Sequence, residues 1–288
     1  MPPSSPTEGR AWRALLAVVI GGHLLLALGL AGVRSVGLSN WPPAQQLDVS
    51  GWRLLVTQGG FWHALAFSAV LTLITLVIAV AAALVLHHAL GAELRRGPFA
   101  RILFLPLAVP GVAAALIAFV MASDSGVLSR IAHALGWLKT PADFPGLLFD
   151  TKGRGIVLTH LALVIPLFVL LYDRLAEHLR LPALLAQARA LGATSGMAWR
   201  RVALPLPLRQ AMPVILVYGL ALLGAYEIPL MIGGAQPKMI SVVIAQAIGG
   251  YDLTTRPYGY AMACVYLTLL AGLWAVAVAR GGLRRKTL

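Results

Sequence analysis

Apolar positions along this chain fall in unbroken runs, not in the stripes of a surface helix or the alternation of a half-buried strand. The runs lie near 12–33, 64–86, 101–122, 155–172, 208–231 and 258–280. A run of about 18 or more apolar residues reads as a membrane helix. The pattern therefore predicts an all-α integral membrane chain with six transmembrane helices. Prolines fall inside the third, fourth and fifth runs: Pro106 and Pro110, then Pro166, then Pro213 and Pro229. Proline is tolerated within a membrane helix when a neighbour satisfies the carbonyl it frees. The first run follows Arg10 and Arg13, as a signal core would. Signal cores are about 7–15 residues long, whereas this run is longer and lacks a clear small-x-small cleavage site, so it reads as a span.

Composition agrees. Only 11% of the 288 residues are charged and 59% are hydrophobic, with a mean hydropathy of +0.83. Soluble domains carry about 25% charged residues, so most of this chain is not built to face water. The net charge of +13 would suggest nucleic acid in a soluble protein. Here the basic residues sit between apolar runs, which points to membrane topology and away from nucleic acid. With both termini in the cytoplasm, the inner segments hold 15 Lys and Arg, including Arg95, Arg96, Arg101, Arg174, Arg180 and Lys286, and the outer segments hold 8. That bias selects this orientation. It leaves outer loops near 34–63, 123–154 and 232–257 that would pack as short elements. The Arg284-Arg285-Lys286 ending reads as an anchor near anionic lipid. Cys264, the single cysteine, excludes an internal disulfide and reads as a small buried hydrophobe.

Between the fourth and fifth runs, residues 173–207 carry too few charges for a disordered tail and too many for a span. Pro182 suits the first turn of a helix. Leu184, Ala188 and Leu191 follow at spacings of four and three, which makes one apolar face. Gly192 fits the left-handed stop of that helix. Thr194 or Ser195 fits the cap of a second short helix, with Met197, Ala198 and Val202 on one side, Arg200 and Arg201 elsewhere, and Pro205 ending it. Each helix, about ten residues long, would measure about 15 Å. Such a pair suits a groove in a partner protein or, equally on these grounds, the lipid headgroup layer.

This loop resembles the cytoplasmic motif of binding-protein-dependent ABC importer permeases: Glu-Ala-Ala, three residues, Gly, nine residues, Ile-x-Leu-Pro. Ala188 matches the second alanine and Gly192 the glycine. Val202 stands for the isoleucine, and Leu204 and Pro205 match the closing pair. Arg189, Leu191 and Ala193 also fit. Ala186 replaces the motif glutamate and Gln187 an alanine, so no salt bridge is carried over. The resemblance extends over about residues 60–280. The stretches Glu227-Ile-Pro-Leu-Met-Ile-Gly-Gly-Ala-Gln-Pro, Ile244-Ala-Gln-Ala and Pro257-Tyr-Gly-Tyr-Ala-Met-Ala are similar to permeases of polyamine (spermidine/putrescine)-type importers. That subgroup also has relatives for ferric iron, thiamine and phosphonates, so it leaves the solute open.

The resemblance implies an ABC-importer permease fold, with residues 1–60 as an N-terminal helix and periplasmic segment and 61–288 as the transmembrane core. It implies coupling to the ATPase through Leu184, Ala188, Arg189, Gly192, Val202, Leu204 and Pro205. The implied partners are two ATPase subunits, a second permease that is a related chain, a periplasmic substrate-binding protein and the lipid bilayer of a bacterial inner membrane. No cofactor is implied. Independently, the phosphate-cradling Gly-x-x-x-x-Gly-Lys-Ser/Thr loop is missing, because the chain has no Gly-Lys dipeptide.

Glu227 is the one acid placed inside a span, where a charge costs about 2.5–3.5 kcal/mol at the centre and less near the interface. It reads either as a pathway group for a cationic solute, with Tyr226 and Pro229 beside it, or as a structural hydrogen-bonding group. His23 and His160 read as helix-packing groups, and His87-His88 as the end of the second span. No His-x-x-x-His or carboxylate cluster suggests a metal, and Ser195 lacks a Gly-x-Ser-x-Gly frame. Gly219 and Gly224 would allow close helix packing. A stand-alone ion-coupled secondary transporter is the alternative, but such proteins carry internal repeats and several intramembrane charges. A membrane protease would need a nucleophile and base at membrane depth.

Overall fold

The computed structural model describes residues 6–38, 47–90 and 102–285. The expected anchors Arg95, Arg96, Arg101 and Lys286 lie outside the described residues. Among the described residues there are helices and turns and no strand. The helices are α1 (Pro6–Ser35), α2 (Ser50–Thr57), α3 (Gly60–Leu90), α4 (Gly111–Ala122), α5 (Val127–Ala134), α6 (Arg154–His178), α7 (Leu181–Ala190), α8 (Ser195–Ala198), α9 (Pro205–Leu223), α10 (Glu227–Ile232), α11 (Ile240–Gly249) and α12 (Arg256–Arg285). Five helical stretches among the described residues are long and apolar enough to cross a membrane: Gly60–Ala89, Gly111–Ala134, Arg154–His178, Ser195–Leu223 and Leu253–Val276. The first expected span falls within α1, a helix of 30 residues.

The chain divides into two compact units, one made of residues 1–62 with 243–273, the other of 63–242 with 274–288. In the first unit, polar side chains fasten short helices to long ones. Trp52 Nε1 on α2 donates to Ser35 Oγ at the end of α1 (3.0 Å), and that hydroxyl donates to the Gly32 carbonyl. Arg34 donates to the Tyr260 hydroxyl of α12 at 2.9 Å.

The second unit is organised around α6. Half of its apolar window is buried, against 17–28% for the other apolar stretches of this unit, so within the unit α6 is the most enclosed helix. One cluster joins Leu71, Ala114, Ala115, Leu148, Ile156, Ile228, Ile232 and Met239. A second joins Ala79 and Ala83 of α3 to Val164, Phe168 and Val169 of α6 and Leu222 of α9. Alanines at the crossings let helix backbones approach closely, which drives packing where lipid removes the hydrophobic incentive. Gly219 serves the same end, facing Leu76. Buried Ser68 holds α3 to α11: its hydroxyl donates to the Ala64 carbonyl and accepts from the Ile240 N–H, both at 2.8 Å.

Two of the expected spans are cut differently. The third run does not hold Pro106 and Pro110 inside a helix. Residues 105–108 form a 3-10 turn and Pro110 is extended (ψ 152°), so α4 starts at Gly111. A residue before proline is pushed out of the helical region, and Val109 is extended accordingly, with ψ 118°. The fifth run stops at Leu223, with Gly224 as its cap instead of a packing residue, and resumes at Glu227 as the short α10. Pro229 explains the break. It has no N–H for the Ala225 carbonyl, and its ring would clash there. The Ser241 hydroxyl donates to that carbonyl instead. Pro166 and Pro213, in contrast, sit inside continuous α6 and α9. His23 and His160 each place Nδ1 on the carbonyl four residues earlier, not on a neighbouring helix.

Replacing Ser68 with alanine leaves the buried Ile240 N–H without its acceptor. The expected cost is about 1–3 kcal/mol, read from thermal or denaturant unfolding of the detergent-solubilised protein. A change under about 0.5 kcal/mol would show that the α3–α11 tie does not depend on this hydroxyl.

Candidate functional site

The segment between α6 and α9 folds from local signals. After α6, Arg180 adopts a left-handed conformation (φ 49°) and reverses the chain. α7 then begins at Leu181, with Pro182 in its first turn and Arg180 as its cap. At its end Gly192 stands at φ 89°. The Gly192 N–H bonds the Arg189 carbonyl (2.9 Å) and the Ala193 N–H bonds the Ala188 carbonyl (3.0 Å). These two bonds make a Schellman stop, which needs a residue at ease with positive φ. Thr194 then caps α8, its hydroxyl accepting from the Met197 N–H at 3.3 Å.

Beyond α8 the structure departs from the expectation at Pro205. Pro205 does not end the second helix. The chain runs on through a π-turn at Trp199–Ala203, closed by the Leu204 N–H on the Trp199 carbonyl (2.9 Å), and straight into α9. The helical stretch is continuous from Ser195 to Leu223. A widened turn moves carbonyls out of the way of a following proline ring, so Pro205 begins α9 without breaking the rod.

Packing sorts the segment into an inner and an outer side. Ala176, Leu181 and Ala203 are buried together, with Leu185, Trp199 and Val202 against them. Leu184 and Ala188 are half-buried, as is Leu204, while Leu191 at the tip is 89% exposed. Ala198 and Val202 turn inward one turn apart, but Met197 is exposed and does not share their side. Arg189, Arg200 and Arg201 are exposed, and Arg189 Nε bonds only the Leu185 carbonyl of its own helix. The outcome is a short rod and a long one, joined at a corner where Leu191 and Met197 are exposed.

The seam between this segment and the spans brings together side chains whose meeting the sequence does not point out. Tyr172 of α6 donates its hydroxyl hydrogen to the Ala203 carbonyl. His87 of α3 lies edge-on to the Tyr172 ring, centroids 4.7 Å apart, with its Nδ1 3.6 Å from Asp173 Oδ1. His88 meets the Trp199 ring at 5.7 Å.

The second candidate place is the break between α9 and α10. Tyr226 and Glu227 are exposed there, whereas Pro229 is buried beside Ile228 and Ile232. Glu227 follows the break, in the first turn of α10, not inside a continuous span. Its carboxylate lies over Gly111, where any Cβ would collide with Glu227 Oε2. It therefore sits at the N-terminal end of α4.

No protein-family model matches the chain. The chain is 30% identical over 257 residues, 86% of its own length, to the thiamine transport system permease protein ThiP of Brucella abortus, and spans 42% of that protein. It is 26% identical over 243 residues to the multiple sugar-binding transport system permease protein MsmF of Streptococcus mutans serotype c, covering 80% of this chain and 79% of MsmF. A solved bacterial ABC transporter involved in the import of the acidic polysaccharide alginate contains a chain of similar fold. The match has a TM-score of 0.67 and 16% identity over 97% of this chain and 96% of that one. The two sequence relatives are permeases of transport systems, and the three names do not agree on a solute.

The Schellman stop predicts a graded response at Gly192. Space around it is open, so a larger residue meets backbone strain instead of a clash. Gly192→Val is expected to cost about 1–2 kcal/mol of local stability and to speed hydrogen exchange at the Gly192 and Ala193 amides by about 5- to 30-fold. Gly192→Asn should stay near the parent. Equal exchange in Gly192→Val and the parent would refute the stop.

Proposed function

We propose that this chain is a permease subunit of an ATP-driven ABC importer in a bacterial inner membrane. α1 and the five apolar stretches serve as its six spans, and both termini face the cytoplasm. The 173–207 segment is the cytoplasmic coupling element, and it is the observation that carries the reading. It is an independently capped pair of helices with an apolar corner, joined without interruption to a spanning helix. An exposed leucine on a segment that also exposes three arginines suits a groove in a water-soluble protein, while the inner side of the segment is already occupied by the spans. Likeness to two transport-system permeases supports the same reading.

The chain has no phosphate-cradling loop, so nucleotide hydrolysis falls to a partner pair of ATPase subunits. A second, related permease completes the pathway, and a periplasmic binding protein delivers the solute. The exposed faces of α3, α4 and α9 supply apolar surface for that second permease and for lipid.

For the solute we favour a small polar or cationic molecule. The support is Glu227, an exposed carboxylate at a helix break. Thiamine, named for one relative, and the polyamines of the resembling subgroup are both organic cations.

Two outcomes test this reading. Leu191→Asp should leave the chain folded and membrane-inserted, since Leu191 touches little of it. It should weaken co-purification of the ATPase by about tenfold or more, the scale of a buried apolar anchor. Undiminished association would remove the docking role. Separately, Glu227→Gln should reduce uptake of a cationic solute with normal complex assembly; unchanged uptake would remove Glu227 from the pathway.

A further inference from the structure

We propose that Tyr172 is a positioning residue for transport: its hydroxyl ties the coupling segment to α6, so that a push on the segment moves the spans and is not absorbed by the π-turn. This rests on reading residues 173–207 as the coupling segment.

In a regular helix the Ala203 carbonyl would accept from the N–H of residue 207. That residue is Pro207, which has no N–H and is itself buried. Ala203 is 4% exposed, so water is a poor substitute, and an unmet carbonyl in such surroundings is unfavourable. The Tyr172 hydroxyl supplies the donor from the neighbouring helix.

The bond lies at the point of greatest mechanical consequence. The π-turn at 199–203 is the widest turn in the continuous rod from Ser195 to Leu223, and widened turns are where helices yield. Ala203 is its last residue. A tie at that residue stiffens the weak turn from outside. Tyr172 is held in turn by α3, with the His87 ring packed edge-on at 4.7 Å and His87 Nδ1 3.6 Å from Asp173, the next residue of α6. His88 against Trp199 adds a second contact from α3 to the same turn. Three elements (α3, α6 and the returning limb of the segment) therefore meet around Tyr172 and Trp199.

The test uses the full chain, tagged and purified with its partners from native membranes. Tyr226→Cys, exposed at the helix break, reports by its rate of maleimide labelling with and without ATP, and the native Cys264 is replaced by alanine. In the parent, ATP should change that rate. Tyr172→Phe should shrink the ATP-induced change about three- to tenfold, the worth of one hydrogen bond, with equal amounts of ATPase co-purified. Pro207→Ala restores an N–H beneath the Ala203 carbonyl, so the Tyr172→Phe/Pro207→Ala double variant should recover most of the change. A full ATP response in Tyr172→Phe overturns the tie, as does a loss that Pro207→Ala does not rescue. Should Tyr172→Phe alone fail to accumulate, the double variant decides: recovered protein and response support the tie, and no recovery overturns it. A parent chain that brings down no nucleotide-hydrolysing partner, or whose labelling ignores ATP, refutes the coupling-segment reading and the tie with it. A responsive parent with an equally responsive Tyr172→Phe refutes the tie alone.

Discussion

In apolar surroundings a backbone carbonyl without a donor is the group the fold can least tolerate. Much of this structure follows from how that demand is met around prolines. Each proline withdraws one N–H from a helix. Where a hydroxyl reaches across, the freed carbonyl is kept: Tyr172 serves Ala203, and Ser241 serves Ala225. The two cases end differently. Below Pro207 the helix continues, through a widened turn, while above Pro229 it breaks and restarts as α10. Two devices with the same chemistry thus set one end of α9 as a rod and the other as an interruption.

The same logic accounts for what could be read from residues alone. The apolar runs locate the membrane helices because length and hydropathy are properties of a single segment. The stop at Gly192, the cap at Thr194 and the start at Pro182 are legible for the same reason: each is settled within about four residues. Pro106, Pro110 and Pro229 were harder. Whether a proline bends, ends or merely interrupts a helix depends on a donor from elsewhere in the fold, and nothing local names Ser241 as the group that meets Ala225. Pro205 reads as a helix end but is not one, because a π-turn leaves no signature in so short a stretch.

Contacts at the inner seam are the least legible of all. His87, Tyr172 and Asp173 come together only because α3 lies along α6 through small residues such as Ala79 and Ala83. A donor count at the prolines would have given a partial clue, since Pro207 marks Ala203 as a carbonyl in want of a partner. Glu227 stands out in the sequence as an acid within an apolar run, but its seat over Gly111 at the N-terminal end of α4 depends on the break before α10.

The unbroken stretch from Ser195 to Leu223 has 29 residues, hence a length of about 43 Å at 1.5 Å per residue. Its near end belongs to the corner bearing Leu191 and Met197, and its far end abuts Gly224, three residues before Glu227. With its widened turn held by Tyr172, a rod of that length is an amplifier: pivoting by about 5° sweeps the far tip through about 4 Å, roughly the width of a water molecule plus clearance. If residues 173–207 couple to an ATPase as proposed, a nudge at that corner would arrive at the break before Glu227 as a displacement of this size.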